Sequence, residues 1–248
     1  MDKLKQLPEL YNTLVGYIDK YGNYKEKIVD DTLVEFTGDI FKTVKTISKA
    51  NDMFRLLKFK HFLKGLKGSQ TDEKEIERLI LYIDDTKKAE YVLDMINKVL
   101  NANSKLACVV LGTMMGELVN RKGNVQQEHL QLMCCISVLT DYDIINFTNL
   151  YLLVIKNSSD KYIRIDESDI LRCCSRINIT KGQINLTLNI LEQYGLIDRK
   201  VEIVSSCEAG KFPVLASDII EYKFFNELSA RLYELTSKVV DIQRANHQ

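Results

Sequence analysis

The stretch from Asp166 to Phe225 opens DESDILRCCSRINITKGQINLTLNILEQYGLIDRKVEI, and it limits the fold more than any other part of the chain. Asp166 can cap a helix running to about Cys174, with Glu167 and Asp169 placing acid at the positive helix end. Asn178 and Ile179 make a turn. Thr180 then starts a second helix, and Gln183 three residues on completes a T-x-x-Q capping box. Ile184, Leu188 and Leu191 recur at i, i+4, i+7, with Leu186 and Ile190 expected to widen the apolar face. Gly195 suits the left-handed position after a helix, and Leu196 supplies the apolar contact of a Schellman ending. Arg199–Val204 and Ile220–Phe225 are β-branched or aromatic enough for two strands. The loop between them carries Gly210 and Pro213, and Tyr162–Ile165 suits a short third strand. Two capped helices followed by a hairpin give a winged helix-turn-helix-like order.

The preceding residues read as helices joined by short connections. Pro8 fits the first turn of a helix ending near Tyr21. Amphipathic stretches follow from about Lys25 to Ala50 and again from Asn51 or Asp52. Thr71 is placed to cap the next helix, and Asp84-Asp85-Thr86 separates it from KKAEYVLDMINKVLNA. Ser104 caps a helix that stops at Gly123. Asn124 with Gln127 resembles a capping box for Val125–Leu139, and Asp141 opens a last helix to about Lys156. Pro8 is the one proline in this part of the chain. The expected fold is mainly α: a multi-helix N-terminal bundle over 1–157, then a winged helix-turn-helix-like domain with a small β-hairpin and a C-terminal helix over 158–248.

Charge weighs against the most obvious function. The outward face of the second helix is expected to carry Lys181, Gln183, Asn185, Thr187, Asn189 and Gln193. Asn and Gln side chains are able to read adenine edges. Arg172, Arg176, Lys200 and Lys211 are further candidates for nucleic acid. Yet from Lys161 onward twelve Lys/Arg face twelve Asp/Glu, whereas phosphate contacts from a basic patch supply most of the affinity for DNA. A packing or protein-binding role for the module is the competing reading.

A second charged feature lies in the bundle. Between Lys42 and Lys67 there are eight basic residues (42, 45, 49, 55, 58, 60, 64 and 67) and one acid, Asp52. Phe54, Leu57, Phe59, Phe62, Leu63 and Leu66 lie among them. Lys45, Arg55, Lys58, Lys60, Lys64 and Lys67 are therefore candidates for holding an anionic membrane surface or nucleic-acid phosphates. The plainer alternative is a solvated basic face on a helix that packs through its apolar side. Gly112-Thr-Met-Met-Gly116 is a G-x-x-x-G pattern, expected to mark close helix packing because its flanks are too short for a membrane span.

Catalysis finds little support in the spacing. The three histidines are 61, 129 and 247, and none stands at a nucleophile or metal-ligand interval. Neither a phosphate-cradling glycine loop nor a dinucleotide fingerprint is present. Asp84-Asp85 and Asp141/Asp143 sit where helix caps are expected. Cysteines at 108, 134, 135, 173, 174 and 207 include two adjacent pairs, poor for disulfides, and no C-x-x-C. Reduced thiols acting as small hydrophobes are expected. The N-terminal MDKLKQLPELYNTLVGYIDK has no signal-peptide core, and no apolar run reaches bilayer length. A cytoplasmic protein without cofactor or metal, and not an enzyme, is the expectation.

The order FRLLKFKHFLKGLKG, TDEKEIERLILYID, KKAEYVLDMINKVLNANSKLACVVLGTMMGELVNRKG, EHLQLMCCISVLTDYDIINF and a winged-helix-like end resembles small helical proteins of bacteria, phages and mobile elements. Some of these are grouped with the abortive-infection alpha type of phage-resistance protein. The similarity runs from Phe54 to Leu235, rests on element order and hydrophobic rhythm, and carries no catalytic residue with it. It implies a non-enzymatic role in phage–host conflict. The leading expectation is a non-catalytic interaction or regulatory protein that binds a protein partner or self-associates. A winged-helix DNA-binding transcriptional regulator and a peripheral membrane effector acting through 42–67 are the alternatives.

Overall fold

Leu7, Tyr11, Leu14 and Ile18 recur at helical spacing and are all buried, so the first helix is held by packing along one stripe. The computed structural model describes residues 3–21, 46–66, 71–157, 163–205 and 217–245. Among these, regular structure comprises ten α-helices and one three-stranded antiparallel sheet. The helices are α1 (Lys3–Ile18), α2 (Thr46–Leu66), α3 (Asp72–Tyr82), α4 (Thr86–Asn101), α5 (Lys105–Arg121), α6 (Gln127–Val138), α7 (Asp141–Asn157), α8 (Glu167–Ile177), α9 (Lys181–Gln193) and α10 (Glu227–Ala245). The strands are β1 (Ile163–Ile165), β2 (Ile197–Ser205) and β3 (Ser217–Phe225). Packing separates two units, Met1–Asp141 with Val239–Gln248, and Tyr142–Lys238.

In the first unit α2 and α5 cross with their backbones in near contact. A Cβ built on Gly112 would lie 2.1 Å from the carbonyl oxygen of Phe62, and one on Gly65 would lie 2.0 Å from that of Val109. At Gly116 the corresponding distance to the Leu66 oxygen is 3.0 Å. The G-x-x-x-G pattern is thus a packing device, completed by Gly65 on the partner helix. Phe59 and Phe62 of α2 stack at 6.2 Å, and Tyr11 of α1 meets Phe59 edge-on at 5.6 Å. Lys58 turns along the bundle to donate to the Leu100 carbonyl at 3.0 Å, placing its cation at the negative end of α4.

Helix starts in this unit follow local chemistry. Asp85 and Ser104 accept from the backbone N–H groups of Lys88 and Ala107 at 2.8 and 2.9 Å. Three expectations need correction. The first helix begins at Lys3, so Pro8 lies inside it rather than in its first turn. Leu7, next to Pro8, is fully buried in that helix. Helix α2 runs through Asn51 and Asp52 without a break, since those residues lower helix propensity by only about 0.7 kcal/mol against Ala. Finally, α6 starts two residues after its expected Val125, at Gln127, where His129 Nδ1 accepts from the Gln126 backbone N–H at 3.0 Å. The stretch from Lys25 to Ala50 lies outside the described residues up to Lys45.

In the second unit the sheet order is β1-β3-β2, with Ile163 and Ile197 both opposite Phe225. The N-caps of α8 and α9 form as the sequence dictates. Thr180 N–H donates to Gln183 Oε1 at 2.8 Å, and Gln183 N–H returns to Thr180 Oγ1 at 3.3 Å. Gly195 has φ 70°, and Leu196 N–H reaches the Leu191 carbonyl at 2.9 Å, which is the Schellman closure. Phe147 and Tyr151 of α7 surround Phe225, at 5.8 and 5.0 Å, and Tyr151 stacks on Tyr233 of α10 at 4.7 Å. Those contacts explain why packing divides the chain at Asp141/Tyr142, one helix before the boundary expected after residue 157. Helix α7 joins the C-terminal unit through its aromatic face.

Replacement of Gly112 by Ala is expected to destabilise the protein at the upper end of the ~1–3 kcal/mol typical of overpacking, because the obstructing atom is backbone. Gly16 has no atom within 4 Å of a built Cβ. Gly16→Ala is therefore expected to stabilise α1 by about 0.5–1 kcal/mol. Urea denaturation of both variants measures the opposite signs.

Candidate interaction surface

The elements α8, α9 and β2 carry seven of the eight residues singled out for binding nucleic acid. Along α9, Ile184, Thr187, Leu188 and Leu191 are buried, whereas Leu186 is 65% exposed. This reverses two expectations. Leu186 does not widen the buried stripe, and Thr187 does not face outward. At about 100° per residue, Leu186 falls opposite the Ile184–Leu188–Leu191 line while Thr187 falls beside it. Thr187 donates to Asp143 Oδ1 of α7 at 2.6 Å and receives Asn146 Nδ2 at 3.4 Å. Leu171 on α8 is 51% exposed and Val201 on β2 is 50% exposed. Counting angles along α9 would have revealed Leu186; the exposures of Leu171 and Val201 depend on tertiary packing.

The cations of this face are largely matched by carboxylates of the same unit. Arg172 pairs with Asp169 at 2.5 Å, Arg164 with Asp166 at 2.7 Å, and Lys181 with Glu167. The hydrogen bond from Lys181, followed by its charge, holds the Glu167 carboxyl below its usual range. Lys223 approaches Glu192 at 2.7 Å, and Arg199 reaches the same carboxylate at 3.9 Å. Lys223 also donates to Asn189 Oδ1 at 3.3 Å. Of the other candidates, Gln183 is engaged in the α9 cap, Asn185 is half-buried, and Arg176 and Lys200 are exposed. Lys211 lies outside the described residues. The structure thus brings Lys181 and Arg172 to the α8–α9 pair, each beside an acid, and leaves Leu186 as the most exposed apolar side chain of α9.

The basic segment of the first unit divides differently. Lys58 is turned inward to α4. Arg55, Lys60 and His61 are half-buried and Lys64 is exposed. Lys45 and Lys67 lie outside the described residues. A separate cleft of about 350 Å³ is lined by Asn97, Lys98, Asn101, Asn103, Ser137 and Val138. Its amides serve the backbone: Asn101 donates to the Asn97 carbonyl and Asn103 to that of Val138, at 3.0 and 3.2 Å. Elsewhere in the bundle, Glu75 is fully buried, with one oxygen paired to Arg78 and the other without a hydrogen-bond donor among the described residues.

Compared with protein-family models, with curated proteins and with solved structures, the chain gives no significant match.

Cys108 and Cys173 are buried thiols. Burial pushes both up to about 11, opposed at Cys108 by Lys58 and reinforced at Cys173 by Cys174. At pH 8 only about one thiol in a thousand at such a site is thiolate. Alkylation of native protein followed by peptide mapping is expected to leave Cys108 and Cys173 unmodified while both react in urea. Their native reactivity should rise with pH toward 11.

Proposed function

We propose that the unit Tyr142–Lys238 is a winged helix-turn-helix whose outward face binds protein, and that the chain is a non-catalytic interaction protein of the cytoplasm. The fold assignment is supported by the order α7, β1, α8, α9, β2, β3 and by the β1-β3-β2 sheet. In this arrangement α9 stands where a recognition helix stands, and the hairpin forms the wing.

The observation that carries the functional reading is Leu186, 65% exposed on the outward side of α9. A helix that lies in a DNA groove presents polar groups to base edges and cations to phosphates. Here an aliphatic side chain occupies that side, and Lys181 and Arg172 are already paired with Glu167 and Asp169. Exposed Leu171 supplies a second apolar group on the neighbouring helix. Apolar anchors with a polar, charge-balanced surround suit a protein interface. The resemblance to abortive-infection alpha proteins supports phage–host conflict as the setting, with defence or its regulation as the role.

DNA binding is the second reading. It is favoured by Arg176, which is exposed and has no carboxylate partner among the described residues, and by Asn185 on α9.

Sedimentation velocity across a concentration series tests self-association of this face. A concentration-dependent dimer is expected, and Leu186→Glu should abolish it with helix content unchanged. A fluorescence titration with duplex DNA at low salt separates the two readings. Tight binding with a steep salt slope would overturn the protein-interface reading in favour of DNA. If the wild type is weak, removing Glu167 and Glu192 by substitution with Gln is expected to unmask Lys181, Lys223 and Arg199 and raise non-specific affinity.

A further inference from the structure

Helix α2 is apolar on two sides, and the α2–α5 packing accounts for only one of them. Phe59, Phe62, Leu63 and Leu66 are buried in the first unit. On the opposite side Met53 is 60% exposed and Phe54 65% exposed. At about 100° per residue, Met53, Phe54, Leu57, Lys60, His61 and Lys64 fall within one arc of about 120°. The apolar group and the cations thus face the same way, separated along the axis by about 10 Å at 1.5 Å per residue.

A further lysine, at the start of α5, acts on the same stretch of α2. The His61 imidazole is held below its ordinary value first by burial, then by Lys105, Lys64 and Lys60 in that order, with Asp141 acting in the opposite sense. Lys105, the first residue of α5, is exposed. Lys60, Lys64 and Lys105 are thus all within electrostatic reach of His61. Among the described residues none of the three has a carboxylate partner, in contrast with the cations of the α8–α9 face. The one acid near them, Asp141, already accepts from the Leu106 backbone N–H at 2.9 Å.

We propose that this face of α2, together with Lys105, docks on an anionic lipid surface. Met53 and Phe54 enter the boundary between headgroups and acyl chains, and Lys60, Lys64 and Lys105 hold the headgroup phosphates. Bulky apolar side chains beside unpaired cations are what an anionic bilayer interface selects, since it offers both low polarity and negative charge. A nucleic acid would satisfy the lysines but would leave aliphatic Met53 and Leu57 without a partner surface. No single helix among the described residues is long and apolar enough to cross a membrane, so the contact is one of lying on the surface. It involves neither Leu186 nor the C-terminal face, and each is testable without the other.

Flotation of the full chain with phosphatidylcholine vesicles, with and without phosphatidylglycerol, tests the proposal. Co-flotation is expected with the anionic vesicles alone and should weaken as salt is raised. Exchanging Lys60, Lys64 and Lys105 together for Gln is expected to lower vesicle affinity about a hundredfold. Phe54→Ala should lower it about tenfold. The chain has no tryptophan, so Phe54→Trp adds a single indole reporter. Its emission should shift to the blue with anionic vesicles and stay unchanged with neutral ones. Failure to float, flotation without a blue shift, or displacement by single-stranded DNA with no effect of Phe54→Ala would each overturn it.

Discussion

The contact between the α2 and α5 backbones is the constraint on which the first unit depends. A carbonyl oxygen from each helix occupies the space where a Cβ would stand on the other, at Gly112 and Gly65. No side chain is accommodated there, so the two helices have one crossing position. Once it is set, Phe59 is directed toward Tyr11 of α1 with Phe62 stacked on it, and Lys58 reaches the end of α4. The orientation of α2 about its axis follows as well. Fixing the Gly65–Phe62–Leu66 side against α5 turns Met53, Phe54, Lys60 and Lys64 to the opposite side. The packing that stabilises the bundle therefore decides which residues it displays.

In the second unit the corresponding centre is Phe225, the last residue of β3. It pairs with both Ile163 and Ile197 in the sheet and meets Phe147 and Tyr151 of α7. Asn226, next in sequence, donates to the Gly195 carbonyl at 2.8 Å and to Asp198 Oδ1 at 3.1 Å. Its own side-chain oxygen receives the Leu228 and Ser229 N–H groups at the start of α10. Two adjacent residues thus tie the end of α9, the sheet and the last helix together. Thr187 adds a polar tie to α7, with its hydroxyl donated to Asp143. A buried carboxylate is tolerable where such donors meet it.

The two charged regions differ in a way that composition does not convey. Cations of the α8–α9 face lie beside acids on their own or neighbouring elements, so its potential is muted and its exposed leucines dominate its chemistry. Lys60, Lys64 and Lys105 all lie within electrostatic reach of His61, with Asp141 as the sole acid among the groups that set its titration. Equal totals of acid and base over the whole chain conceal one neutralised surface and one cationic one. Charge pairing at these distances outweighs net charge in deciding what a surface attracts, because the field of a paired cation falls off within a few ångströms.

Much of the local structure was legible in the sequence. The caps at Asp85, Ser104, Asp166 and Thr180 and the left-handed turn at Gly195 arise from short-range chemistry, where the hydrogen-bond partners lie within a few residues, and the strands show in their β-branched and aromatic composition although they pair over long range. The G-x-x-x-G pattern also announced a close approach, although its partner Gly65 was not identifiable without the fold. Where sequence reasoning missed, a longer-range term had intervened. Leu7 burial extended α1 back past Pro8, and α2 continued through Asn51 and Asp52 against a weak local preference. Aromatic packing drew α7 toward Phe225, whereas the outward Leu186 and inward Thr187 follow from the ~100° spacing of α9 itself. The sequence by itself determined the capped ends of most helices, that the chain is mainly helical with a small sheet, and that charge is balanced overall. Tertiary structure alone decided which cations are paired, which apolar residues remain exposed and which helices share a core. Those outcomes depend on distances between residues far apart in the chain, and no local pattern encodes them.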